Sequence, residues 1–198
     1  MQTLVNTDGL VLAGGMSTRL GQDKTALQWH GKEQQYYLAD LLTNFCEEVF
    51  ISKRKEPENG LGGQYKILVD SYQGIGPYGA ILSAFQFRQN RAWLVVACDL
   101  PLIDRSTLTY LMANRDVRRM ATTFQSPFDG LPEPLVTIWE PKSYPILLDY
   151  LSIGISCPRK ALIKANDACI LQPPDANALM NVNTPEDFAR AKQVFENK

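Results

Sequence analysis

The chain has 198 residues, 45% of them hydrophobic and 21% charged, which suits one globular domain over residues 1–198 that buries roughly 70% of its unfolded surface. Twenty basic and twenty-one acidic side chains give a formal charge of −1, so no overall field draws the molecule to nucleic acid or an anionic membrane, and recognition of phosphate has to be local. No apolar run approaches the ~20 residues that span a bilayer, and the amino terminus lacks a basic segment followed by an apolar one, which predicts a cytoplasmic protein with no membrane partner.

In chain order, Gly9 to Ala13 is a short apolar run that stops at glycines, the pattern of a strand buried on both faces. A small-residue loop follows. Gln34 to Asn44 has near-helical apolar spacing and Glu48 to Ser52 reads as a second strand, which completes a β-loop-α-β unit. Lys53 to Gly63 is polar and rich in Gly and Pro, and reads as a surface loop. A strand is expected over Tyr65 to Val69, a turn-rich stretch through Gly74, Gly76 and Pro77, and a helix from Tyr78 to Phe87. Trp93 to Ala97 is five consecutive apolar residues leading into Cys98-Asp99-Leu100-Pro101, and Pro101 ends that strand. Asp104 can cap a helix over Thr107 to Ala113, with strands following at Met120 to Phe124 and Pro134 to Trp139. Helices over Tyr144 to Leu151 and Pro158 to Ala165, a strand over Ala168 to Leu171, and a helix over Pro185 to Phe195 capped by Thr184 complete the chain. The alternation predicts a three-layer α/β/α sandwich around a mostly parallel, Rossmann-like sheet.

Cys46, Cys98, Cys157 and Cys169 are scattered singly, which predicts reduced, mostly buried thiols and leaves no zinc spacing. The single histidine, His30, reads as a loop residue beside Gly31 and allows neither a multi-histidine metal centre nor more than one imidazole in a triad.

The chemistry concentrates in Val11 to Lys24, an apolar strand that runs into Leu12-Ala13-Gly14-Gly15 and then reaches Arg19 and Lys24. Glycines let backbone N–H groups turn toward an anion, and the two cations supply the charge a polyphosphate needs. The spacing is neither a P-loop, because Asp23 precedes Lys24, nor the dinucleotide fingerprint, because the glycines are adjacent. Asp99 stands past the end of a strand, where open α/β sheets bind ligands, and a carboxylate there can hold Mg²⁺ against nucleotide phosphates or simply serve a turn. Asp70 ends another strand at a similar location, with a plain turn residue as the alternative. Asn181 and Asn183 alternate around Val182, so in an extended strand both amides share a face, toward an acceptor; the alternative is turn and capping residues before Pro185. Arg159-Lys160 reads as a second anion site or a solvated helix start. Lys53-Arg54-Lys55, Arg115, Arg118 and Arg119 read as exposed loop charges.

The loop resembles, position by position, the L-A-G-G-x-S-x-R-M-G-x-D-K signature of the MobA-like nucleotidyltransferases, with Leu20 in place of the methionine. The resemblance continues through Asp70 with Gly76-Pro77-Tyr78-Gly79-Ala80, through Ala97-Cys98-Asp99-Leu100-Pro101, which resembles the family's metal-binding C-D-x-P, and through Asn181 to Asp187, which reproduces its N-V-N-T-P-E-[DE]. Two departures concern the base pocket: Ala80 stands where a glycine is common, and the Asp70 to Gly76 loop is short.

The resemblance implies a sandwich of the nucleotide-diphospho-sugar transferase type and transfer of GMP from GTP to molybdopterin, with pyrophosphate released. It implies Leu12, Ala13, Gly14, Gly15, Lys24, Asp70 and Asp99 at the nucleotide, Arg19, Lys24 and Asp99 at the reaction, Asp99 on Mg²⁺, and Asn181 and Asn183 at the acceptor. Transient contact with molybdenum-insertion proteins or apo-molybdoenzymes is implied as well. Residues Gly15 to Asp23 are expected to be mobile without ligand and to order on triphosphate. The alternatives are a nucleotidyltransferase for another base or acceptor, such as a cytidylyltransferase or sugar-phosphate enzyme, and a non-catalytic nucleotide-binding partner of a molybdoenzyme.

Overall fold

A computed structural model describes residues 6–13, 29–55 and 64–197. An interior strand of its sheet is β1 (Thr7–Leu12), buried at every position, as a strand covered on both faces must be. The sheet runs in the order β3 (Lys66–Val69), β2 (Val49–Lys53), β1, β4 (Ala92–Ala97), β6 (Pro132–Trp139), β5 (Ala121–Gln125), β7 (Ala168–Leu171). Every neighbouring pair is parallel except those of β6, which runs antiparallel to β4 and β5. The sheet is therefore mostly parallel, as the alternation implied.

Alternation along the strands builds the two outer layers. Val11, Ile51, Leu94 and Val96 pack with Leu38 and Leu42 of α1 (Gln34–Leu42) and Leu108 and Leu111 of α3 (Arg105–Ala113). Their neighbours Leu10, Phe50, Trp93 and Val95 pack with Ile81 and Phe85 of α2 (Gly76–Phe87), Leu147 of α4 (Ser143–Ser152) and Leu162 of α5 (Pro158–Ala165). The last helix, α6 (Pro185–Glu196), joins a smaller cluster of Leu102, Met180, Val182 and Ala191.

Local chemistry sets the boundaries. Asp104 accepts the Thr107 N–H at 2.8 Å and starts α3 at Arg105. Thr184 and Asp187 form a reciprocal capping box at α6. Helix α2 begins at Gly76, two residues ahead of the expected Tyr78, because Pro77 is suited to a first turn. β6 likewise begins at Pro132 instead of Pro134. A short 3-10 helix over Ala176–Leu179, absent from the sequence reading, starts at Asp175, whose carboxylate takes the Asn177 N–H.

Two expectations about charge are corrected here. Arg115 is no exposed loop charge: it is almost wholly buried, donates to both oxygens of Glu140, and also reaches the Thr7 hydroxyl at 2.8 Å. Arg159 is neither a solvated helix start nor an open anion site, because it donates to Asp129 at 2.7 Å and to Glu133 at 3.0 Å. The four cysteines form no disulfide, and only Cys98 is buried, the other three being half-buried. At the amino end of β1, buried Asp8 pairs with Arg88 and Arg91, each at 2.9 Å, and locks the sheet edge opposite the strand ends that carry the expected site.

Candidate functional site

Because β3, β2, β1 and β4 are parallel, their carboxyl ends open onto one edge, the place where such sheets bind ligands. Asp70 extends β3 by one residue, donating its N–H to the Lys53 carbonyl at 2.9 Å. The Ser52 hydroxyl, at the end of β2, donates to Asp70 Oδ1 at 2.7 Å. Burial pushes the Asp70 carboxyl above its ordinary value, while the Ser52 hydroxyl and the Arg54 charge act in the opposite direction.

These residues face a cavity of about 440 Å³. Leu12, Ser52 and Asp70 lie on the sheet side, Tyr72 to Gly74 with Pro77 and Ala80 form the wall toward α2, and Arg54 and Lys55 stand at the rim. The wall is held by the serine of α2: Ser83 Oγ accepts the N–H groups of Ser71 and Tyr72, at 2.9 and 3.2 Å, and donates to the Gly79 carbonyl at 2.7 Å. Gly79 is what lets the wall lie so close, since a Cβ there would stand 2.0 Å from the Tyr72 carbonyl oxygen. Gly76 has φ +57°, a conformation that L side chains rarely adopt. The neighbouring Ala80, where a glycine was expected to be common, is buried in the α2 face.

On the far side of β1, Asp99 is half-buried in the turn that follows β4, where the Leu100 N–H returns to the Ala97 carbonyl. The Val182 N–H donates to the Asp99 carbonyl at 2.8 Å and so brings Asn181 to Asn183 beside this turn. The asparagine segment is not the extended strand the alternation suggested. Its N–H groups go elsewhere: Val182's to Asp99, and those of Asn183 and Thr184 to Asp187 Oδ2 at 3.1 and 3.0 Å. The segment joins no strand of the sheet and is instead pinned through its backbone, the alternative reading of turn and capping residues before Pro185.

β6 brings a second acid toward the Asp99 turn. Glu133 is buried, and burial pushes its carboxyl up; Arg159 opposes this and the charge of Asp99 adds to it. Arg159 answers the Glu133 charge at 3.0 Å, and Asp99, a half-buried carboxylate just past the end of β4, is the hard oxygen donor at this turn that fits a divalent cation. Among the described residues no group of three or more His, Cys, Asp or Glu could hold a metal ion.

Of the residues expected at the nucleotide, Leu12 and Asp70 line the cavity and Ala13 is buried just past β1. Gly14, Gly15, Arg19 and Lys24, with the loop whose ordering on triphosphate was expected, lie outside the described residues. Asp70 and Asp99 are not brought together. With β2 and β1 between β3 and β4, they stand roughly 14 Å apart by strand spacing, about the reach from a nucleobase to its phosphates. Arg54 and Lys55 are exposed, as expected of loop charges, and they also line the cavity. His30 is likewise more than a loop residue. Its ring stacks on Tyr37 at 3.5 Å and its Nε2 lies 3.0 Å from the Pro101 carbonyl, two residues beyond Asp99; burial holds its pKa below 6.5.

The comparisons with known proteins agree with this geometry. The chain is 34% identical over 183 residues to the molybdenum cofactor biosynthesis bifunctional protein of Synechocystis sp., covering 92% of this chain and 52% of that protein, so it spans about half of that relative's length. It is 30% identical over 192 residues to the probable molybdenum cofactor guanylyltransferase of Bacillus subtilis, covering 91% and 92% of the two chains. The fold matches molybdopterin-guanine dinucleotide biosynthesis protein A from Archaeoglobus fulgidus with a TM-score of 0.75 at 21% identity, over 96% of this chain and 100% of that one. It also matches 2-C-methyl-D-erythritol 4-phosphate cytidylyltransferase from Thermus thermophilus, with a TM-score of 0.69 at 15% identity, over 97% and 98%. The family model of the MobA-like NTP transferase domain matches residues 9–172, and the chain belongs to that family of nucleotidyltransferases.

Proposed function

We propose that the chain, acting as one domain over residues 1–198, transfers GMP from GTP to a molybdopterin-type acceptor and releases pyrophosphate. The observation that carries this is the division of one sheet edge into a cavity of about 440 Å³ at Asp70 and an acidic turn at Asp99, roughly 14 Å apart by strand spacing. The names of the relatives supply the guanine and the acceptor.

In this reading an acceptor phosphate oxygen attacks the α-phosphorus, and the bond to the bridging oxygen of pyrophosphate breaks. A phosphate monoester is already ionised near neutral pH, so no general base has to be found in a chain with a single histidine. The protein's task is to bring two anions together and to stabilise the charge that builds up on the leaving group. Asp70 and the cavity wall hold the base end, Leu12 and Ala13 lead into the Gly14-Gly15 cradle, and Arg19 and Lys24 meet the phosphates. Asn181 and Asn183 serve the acceptor from the segment pinned on Asp99. Asp99 would hold Mg²⁺, which supplies charge neutralisation at the transferring phosphoryl group.

No helix among the described residues is long and apolar enough to cross a membrane, and the formal charge of −1 offers nucleic acid no attraction; we place the protein in the cytoplasm, meeting molybdenum-insertion proteins or apo-molybdoenzymes only transiently. The test is thermal stabilisation by GTP, ATP, CTP and UTP, each with Mg²⁺. GTP is expected to raise the unfolding temperature most, because ligand linkage follows affinity; a larger rise with CTP would transfer the assignment to a cytidylyltransferase.

A further inference from the structure

Arg54 stands at the rim of the Asp70 cavity, exposed, while the acid below it is buried. Its charge acts on the Asp70 carboxyl across the opening. Asp70 Oδ1 is already taken by the Ser52 hydroxyl at 2.7 Å, and Oδ2 accepts no hydrogen bond among the described residues. Of the neighbouring cations, Lys53 is committed to Gln35 Oε1 at 2.6 Å and does not line the cavity, and Lys55, which does line it, carries a single ammonium that offers no bidentate fork. One opening thus carries a carboxylate acceptor below and a guanidinium donor fork above, at the end of the nucleotide site farthest from Asp99.

That order of groups selects a base. Guanine presents two donors, N1–H and N2–H, beside two acceptors, O6 and N7, and Arg pairs with O6 and N7 in a bidentate fork. A carboxylate takes the donors and a guanidinium the acceptors. Adenine presents the reverse at its six-position, an amino donor against the guanidinium, and an unprotonated N1 against the carboxylate. Cytosine lacks the five-membered ring that carries N7. Placing Arg54 on the triphosphate instead would require it to leave the Asp70 end, which is three strands from Asp99.

We infer that Arg54 is a specificity-determining residue that reads the O6/N7 edge of guanine while Asp70 holds the opposite edge. This rests on the guanylyl reading above. The test is the affinity of the full chain, with Mg²⁺, for GTP, 7-deaza-GTP and ATP, in the wild type and in Arg54→Ala and Arg54→Lys. The wild type should bind GTP about tenfold more tightly than 7-deaza-GTP, which lacks the N7 acceptor. Arg54→Ala should weaken GTP by roughly ten- to a hundredfold, leave ATP nearly unchanged, and erase the difference between GTP and 7-deaza-GTP. Arg54→Lys should restore part of the GTP affinity without the bidentate discrimination. Equal weakening of GTP and ATP in Arg54→Ala would assign Arg54 to the phosphates and overturn the inference, as would an unchanged preference for GTP over 7-deaza-GTP. A wild type that binds ATP or CTP more tightly than GTP would overturn the guanylyl reading itself.

Discussion

Substituting Gly79 by alanine sets two effects of opposite sign against each other. In an unobstructed helix the change stabilises by up to about 1 kcal/mol, because alanine loses less backbone entropy. Here the new Cβ would lie 2.0 Å from the Tyr72 carbonyl oxygen, 3.1 Å from the Tyr72 carbonyl carbon and 3.0 Å from Ile75 Cγ1. The obstructing atoms are mainly backbone, so no rotamer change relieves the clash, and the segment from Ser71 to Ile75 must lift off α2. Overpacking of this kind costs about 1–3 kcal/mol. Lifting the segment also strains the two N–H bonds to Ser83 Oγ, each about 1 kcal/mol. The net expectation is a destabilisation of about 2–4 kcal/mol, read as a melting temperature lowered by roughly 5–15 °C for a chain of this size. Urea unfolding measures the first quantity and calorimetry the second. The same substitution should weaken GTP binding, because the displaced wall is the wall of the Asp70 cavity. A Gly79→Ala protein that melts at or above the wild-type temperature would refute the close approach and the argument built on it.

Asp8→Ala should cost about 3–5 kcal/mol in urea unfolding, because it leaves the Arg88 and Arg91 guanidinium groups facing a site without its buried anion, and it should leave GTP affinity unchanged, since the pair lies at the other end of β1. Burial raises the Asp187 carboxyl, but the N–H groups of Asn183 and Thr184 and the Thr184 hydroxyl outweigh it and hold the pKa below 3.8. Its contribution is therefore present above pH 3.8 and lost as the pH falls through the lower folded value, so Asp187→Ala should flatten the acid side of the stability profile below pH 3.8, measured by thermal melts across pH. Asp99→Asn should keep the fold by circular dichroism and lower kcat by about 100-fold or more, since it removes the carboxylate from the charge-neutralising position.

The strands and caps that depend on local chemistry could be read directly. Trp93 to Ala97 is apolar at five successive positions because β4 is covered on both faces, and Thr184-Pro185-Glu186-Asp187 is a helix start whatever lies around it. Asp70 and Asp99 were legible for the same reason, as acids closing strands at the edge where parallel sheets bind ligands. What depended on distant partners was not legible. The direction of β6 is set by its pairing with β4 and β5, and alternating apolar residues read the same either way along a strand. Arg115 appears solvated until Glu140, 25 positions away, is brought against it. For the asparagine pair, alternation leaves a strand face and a turn before Pro185 equally open, and it cannot reveal that the Val182 N–H bonds to Asp99 and the next two N–H groups to Asp187. Arg54 followed the same rule, acquiring meaning only when β3 placed Asp70 beneath it.

The central claim is that Asp99 and the Asp70 cavity serve one transfer of a guanylyl group. It is tested most directly by incubating the chain with Mg²⁺, molybdopterin and GTP labelled at its α-phosphorus. The account predicts label appearing in the acceptor in equal amount to the pyrophosphate released, with CTP a poor substitute and Asp99→Asn slower by about 100-fold or more. Label that stays in GTP with the wild type, transfer that proceeds faster from CTP, or undiminished transfer in the Asp99 variant would contradict it.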